Sequence, residues 1–296
     1  MQYLSIIRLV IGFSFLTVAS LSDIKTRRVS DVLWIIMSIF ASSLLAIQLF
    51  LKGVGWRYYL IFIPIIILLS YAFVEIPELY TDKGLNPLSM IWLTIPMISS
   101  IYQIHHLKDD IFFWSLLVIP VTMVFVFVLY YFSVIYGGAD AKAVLVIAIL
   151  VPFYPEINGF TITGLSPDQI PFMQIFFPFT FIVLLNASLI MLVLPIYFLF
   201  LNLNNGDIGF PQILFGYKKP IDEIPDSFVW PMERYDDRGN LKVKLFPRDE
   251  DDNVLNALIS KGRERVWVTP KIPFIVPILI GYVLSFFIGN PISYLL

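Results

Sequence analysis

The sequence predicts an all-α polytopic membrane protein with about eight transmembrane helices and a small cytoplasmic α+β appendage. Three observations predict this class. Of the 296 residues, 58% are hydrophobic and only 14% charged, against about 25% charged in a soluble domain. The mean hydropathy is +0.82. Eight apolar runs approach the roughly 20 residues that a spanning helix needs. Together these exclude a soluble enzyme, a disordered chain and a nucleic-acid binder with a basic face. Twenty Lys and Arg against 22 Asp and Glu leave a net charge of -2, so no bulk electrostatic partner is implied. Cysteine is absent, which excludes disulfides, a thiol nucleophile and Cys-ligated metals. Only two His occur, His105 and His106. The expectation is no cofactor and no metal, with the lipid bilayer as the partner that composition implies.

The expected spans are 3–22, 32–51, 56–74, 88–104, 111–135, 139–154, 172–202 and 272–292. Arg8 interrupts the start of the first, the apolar run continues too far for a signal peptide, and no clear small-residue cleavage site follows, so it is expected to stay as a helix. Pro64, Pro96, Pro120 and Pro178 lie inside apolar runs, which membrane helices tolerate. The sixth run is short. The seventh is too long for a straight span and is expected to tilt, bend at Pro195 or leave the bilayer.

Lys and Arg set the orientation. With the N-terminus outside, sixteen of the 20 basic residues fall on the inner side and four outside: Arg8, Lys52, Arg57 and Lys108. The cluster Lys25, Arg27, Arg28 in the short loop after the first run weighs most under the positive-inside rule. The chain is thus expected to divide into a transmembrane catalytic part (1–202), a cytoplasmic appendage (203–271) and a C-terminal transmembrane helix (272–296). In the appendage, Asp236 to Asn240 is a turn signal and Leu241 to Phe246 alternates like a half-buried strand. Asn253 to Lys261 reads as a short helix ended by Gly262.

Carboxylates at the edge of the hydrocarbon are costly and therefore candidates for function. Asp23 ends the first span, Asp140 opens the sixth, Asp31 precedes the second, Glu75 and Glu78 end the third, and Asp82 follows. In this topology all lie at the inner face. Taken singly, Asp23 reads as a solvated helix end and Asp140 as an N-cap beside turn-forming glycines. Asp31 reads as an N-cap, Glu75, Glu78 and Asp82 as loop charges, and His105-His106 as a solvated outer turn. The sharper possibility is a dyad of Asp23 and Asp140. Two nearby carboxylates share a proton, so one serves as base on a water while the other donates to a carbonyl. Glycines beside Asp140 would allow close backbone approach. Periodicity alone does not select this pair from six acids.

Tyr136-Gly137-Gly138-Ala139-Asp140-Ala141-Lys142 resembles the GxGD signature of membrane aspartyl proteases, and its trailing Ala-Lys resembles the type IV prepilin peptidase branch. Ser22-Asp23-Ile24-Lys25-Thr26-Arg27-Arg28-Val29-Ser30-Asp31 resembles the other half of that family's site. Trp267 to Phe274 resembles the tail of the archaeal preflagellin peptidases. The resemblance implies an aspartic endopeptidase that removes a short basic leader from precursors in which a hydrophobic helix follows it, as in preflagellin and type IV pilin-like proteins. Asp23 and Asp140 inherit the catalytic roles; Gly137, Gly138 and Ala139 form the active-site loop. Ala139 stands where the motif has its second Gly. The aspartates lie 117 positions apart, about one helical hairpin more than in compact six-span members. The absence of Cys argues against the bacterial form that also methylates. The acidic run Asp249 to Asp252 reads as a solvated face or as a contact for the leader.

Two rivals stand beside this expectation. A presenilin-like intramembrane aspartyl protease would share the GxGD aspartate, but neither a C-terminal Pro-Ala-Leu nor a Tyr-Asp pair inside a helix is found. A transporter would use paired carboxylates near the midplane with inverted repeats, whereas these acids sit at helix ends. An assembly scaffold would leave both aspartates dispensable.

Overall fold

A computed structural model describes residues 2–74, 80–81, 84–135, 137–155, 169–236, 238–247 and 252–291. The expectations for Glu75, Glu78, Asp82 and Asp249 to Asp251 lie outside the described residues. The chain is mostly helical and forms two units, 1–187 with 273–296, and 188–272.

The first unit contains α1 (Gln2–Thr26), α2 (Asp31–Leu51), α3 (Trp56–Tyr59), α4 (Phe62–Phe73), a two-residue pair of strands β1 (Tyr80–Thr81) and β2 (Gly84–Leu85), α5 (Pro87–Leu107), α6 (Ile111–Tyr131), α7 (Gly138–Leu150), α8 (Gln169–Phe176) and most of α9 (Phe179–Met191). Among the described residues, five helical stretches are long and apolar enough to cross a membrane: Gln2–Thr26, Asp31–Leu51, Trp56–Phe73, Ile111–Tyr131 and Phe179–Asn205. The chain is a multi-pass membrane protein.

Helix ends follow local chemistry. Ser30 caps α2, its hydroxyl accepting the Val32 N–H at 3.3 Å, so Asp31 occupies the first helical turn and is not the cap that the sequence predicts. Asp110 caps α6 by accepting the Phe112 N–H at 2.9 Å. His105 and His106 lie in the last turn of α5 and not in a loop, with the His106 ring 4.4 Å from that of Tyr102 one turn earlier.

The sixth expected span is a short buried helix of 13 residues. Pro152 stops α7, its predecessor Val151 being turned out of the helix at φ -122° and ψ 71°. At 1.5 Å per residue the helix is about 20 Å long, short of the roughly 30 Å of hydrocarbon. It is buried on every side from Ala143 to Leu150 and packs against α2 and α6. The seventh run, 172–202, is three helices. Pro178 separates α8 from α9, and α9 gives way to α10 (Val193–Asn205) at Leu192. Pro195 lacks an N–H, and its ring crowds the carbonyl four residues earlier, which places the break there.

α12 (Ile275–Phe287) returns to pack along α1. Gly12 permits the close approach, since a Cβ there would run into the Tyr282 ring. The Tyr282 hydroxyl donates to the Arg8 carbonyl at 2.7 Å, and the buried Arg8 guanidinium donates to Gln48 Oε1 of α2 at 2.7 Å. Arg8 is therefore tied into the bundle rather than solvated.

The second unit starts within α9 and contains α10, β3 (Tyr217–Pro220), β4 (Val229–Pro231), β5 (Glu233–Tyr235), β6 (Leu241–Val243), α11 (Asp252–Ser260) and β7 (Arg265–Pro270). β7 is central, with β3 and β4 antiparallel on either side; β5 and β6 make a hairpin. Gly239 closes the hairpin turn at φ +79°, and Gly262 ends α11 at φ +71°. Ile224, Val229, Leu258, Val266 and Val268 form its core. Glu233, 2% exposed, accepts the Trp267 N–H at 3.1 Å and pairs with Arg263 at 2.5 Å, locking the hairpin to β7.

Candidate active site

Asp23 sits in the last turn of α1. The chain leaves that helix through a turn built by its own side chains: Ser22 Oγ donates to the Arg28 carbonyl at 2.8 Å, and Thr26 Oγ1 reaches the same oxygen at 3.0 Å. Arg27 takes the left-handed conformation at φ 55° that ends many helices. Four residues after Asp23 along the turn, its guanidinium acts electrostatically on the Asp23 carboxylate. Four residues thus join α1 to α2, and the basic run lies at one end of the bundle.

Asp140 is the third residue of α7, one turn inside the helix and not its cap. The cap is Gly137, with φ -79° and ψ 123° and no side chain to satisfy the first N–H groups. The Asp140 carboxylate folds back and accepts the Gly137 N–H itself, as the third residue of a capping box does. This requires glycine for space rather than for φ. A Cβ on Gly137 would collide with Asp140 Oδ2 and lie 2.8 Å from its Cγ. Gly138 is under no such constraint, the nearest atom to a Cβ there being the Tyr130 hydroxyl at 3.8 Å. Ala139 is half-buried and packs against the core.

α7 touches α1 as well as α2. The Asp23 carboxylate lies within electrostatic reach of Asp140, and both are partly buried. A second link joins the two motifs: Lys142 Nζ pairs with Asp31 Oδ1 at 2.5 Å. Lys142 also lies 5.6 Å from the centre of the Phe73 ring at the end of α4. Asp31 therefore pairs with Lys142 in place of its expected capping task. Its partner is 111 positions away, so sequence spacing gives no sign of the contact; the only signal is that both residues belong to the motifs quoted above. Among the described residues no group of three His, Asp or Glu side chains is placed to hold a metal ion.

Residues 210–290 match the family model described as Archaeal Peptidase A24 C-terminus Type II. The chain is 31% identical over 168 residues to a protein named preflagellin peptidase from Methanococcus voltae, an alignment of 53% of this chain and 65% of that one. It is 29% identical over 162 residues to the preflagellin peptidase of Methanococcus maripaludis, covering 53% and 64%. With that of Methanocaldococcus jannaschii the identity is 24% over 225 residues, 73% of this chain and 91% of the relative. The chain thus spans just under two thirds of the length of the two Methanococcus proteins. The resemblance seen in short motifs extends beyond them: the chain is similar to proteins named preflagellin peptidase, and its residues 210–290 match the A24 C-terminal model.

Proposed function

We propose that this protein is a membrane aspartic endopeptidase that removes the short basic leader from preflagellin or pilin-like precursors, with Asp23 and Asp140 as its catalytic pair. The observation that carries the proposal is that two partly buried carboxylates, from helices distant in sequence, lie within electrostatic reach of each other. The similarity to preflagellin peptidases supplies the substrate class.

The chemistry follows from two acids that hold one proton between them. The ionised carboxylate takes a proton from water as its oxygen attacks the scissile carbonyl, while the protonated one hydrogen-bonds the carbonyl oxygen. Collapse of the tetrahedral intermediate breaks the C–N bond, and the proton passes to the leaving amine. The Gly137 N–H bond would fix the Asp140 carboxylate for this exchange. The finer topology belongs to the same proposal: eight passes, N-terminus outside, and the active site with residues 203–271 on the cytoplasmic side.

The test is cleavage in liposomes of a precursor whose leader ends in Lys or Arg, with the cut located by mass. Wild type is expected to release the leader, and Asp23→Asn and Asp140→Asn to be inactive while still folded. A cut inside the hydrophobic helix would favour the presenilin-like chemistry, and cleavage by either variant would remove the dyad.

A further inference from the structure

A groove of the first unit has a volume of about 1070 Å³ and runs between α4, α5, α6 and α7. Its origin is visible in the sequence. Pro64 and Ala72 on α4, Pro96 and Ser100 on α5, and Pro120 on α6 contribute short side chains to the wall, so four helices leave an open channel between them. One end is formed by Gly138, Ala141 and Lys142, the residues on either side of Asp140. Lys142 is the one charged group among the described lining residues, and Asp31 already pairs with it. The groove therefore offers an apolar trough that ends on the first turn of α7, the turn that carries Asp140, and not a site for an anion.

We propose that this groove seats the apolar helix of the precursor, with the start of that helix at the Asp140 end. The proposal rests on the peptidase function proposed above and assigns where the substrate lies. Size argues for a helix: a cylinder about 10 Å across with this volume would be about 14 Å long, or roughly nine residues at 1.5 Å rise. Surface pattern argues for it too. Leu93, Met97 and Ile101 form one row of every fourth residue on α5, and Trp92, Pro96 and Ser100 form a parallel one. Such rows are the ridges between which another helix packs, and small residues along them permit close approach in a membrane. Charge argues for the direction. Basic residues preceding the seated helix would leave the trough at the end formed by the first turn of α7, whereas the reverse orientation would bury their charges in the apolar trough.

The lack of cysteine gives a clean background for the test. Single cysteines replace groove residues (Met97→Cys, Val121→Cys) or α5 and α1 residues that face away (Ile98→Cys, Val10→Cys), which are 66% and 56% exposed. Each variant in liposomes is oxidised with a precursor bearing a basic leader and one Cys midway along its apolar helix, and cleavage by wild type is measured in parallel. Groove positions are expected to cross-link several-fold more than the outward ones. If wild type cuts the precursor but groove and outward cysteines cross-link alike or not at all, the groove is filled by lipid and this assignment alone is overturned. If wild type leaves the precursor intact, the peptidase function fails and the assignment falls with it.

Discussion

Gly137 and Gly138 are neighbours in one motif, yet their backbones carry different burdens. At Gly137 the Asp140 carboxylate occupies the volume a methyl group would need, while at Gly138 the space is open to 3.8 Å. Gly137→Ala must therefore push the carboxylate out and break its bond to the backbone N–H. A catalytic group displaced by about 1 Å loses on the order of 10²-fold in rate. Cleavage assays should show about that loss in kcat for Gly137→Ala and a change of only a few-fold for Gly138→Ala; equal effects would mean that the carboxylate does not act from this position. The Lys142–Asp31 pair differs again. With the Asp31 side chain 51% exposed, it contributes at most about 1 kcal/mol, and its role is to hold the first turn of α7 in register with α2. The two aspartates were legible because each sits in a local motif. The Lys142–Asp31 contact was not, since only the packing of α2 on α7 brings those residues together.

Among the elements, the α1–α2–α12 brace makes the clearest energetic statement. A guanidinium 3% exposed inside an apolar bundle keeps its charge solvated only through Gln48 and whatever its other N–H groups reach; its Nε has no partner among the described residues. Gln48→Leu removes the acceptor and leaves the cation stranded, so thermal unfolding in detergent should show a loss of about 2 kcal/mol or more. Arg8→Met combined with Gln48→Leu should recover most of it, because the charge goes with its partner. A double variant no more stable than Gln48→Leu alone would show that Arg8 is satisfied elsewhere. Elements were legible in proportion to how local their causes are. α1, α2 and α6 follow from long apolar runs, and α11 with Gly262 from a helix with a stop signal. Four of the five strands in the second unit were missed, only β6 having been read. They are three to six residues long, without alternation, and β7 is a strand because β3 and β4, some 50 and 40 residues away, pair with it. α7 is shorter than the apolar run that predicts it because Pro152 ends it, and its burial comes from neighbouring helices, which hydropathy cannot tell from lipid.

At the scale of the whole molecule, a site at one end of the bundle works only if that end faces the compartment holding the precursor's leader. Basic residues argue for the inner side: Lys25 in the last turn of α1 and Arg27 and Arg28 just after it follow Asp23, and moving them across the bilayer would oppose the bias that orients membrane helices. The prediction uses the Cys-free background once more. Lys25→Cys and Lys261→Cys should resist a membrane-impermeant maleimide added to intact cells and react after permeabilisation, whereas the exposed Lys52→Cys and Lys108→Cys should react at once. Each pair tests a separate stretch of the path. Lys25 and Lys52 bracket α2, which spans by its own length, so their difference fixes the direction of that helix. Lys108 follows α5 and precedes α6, so agreement with Lys52 requires that 53–107 cross an even number of times, as two passes through α3–α4 and α5 would. Lys261 reports the second unit, and its protection requires an odd number of crossings between 108 and 261. Reaction of Lys25→Cys from outside would put the aspartates on the wrong face for a leader peptidase, and the inward orientation would have to be abandoned.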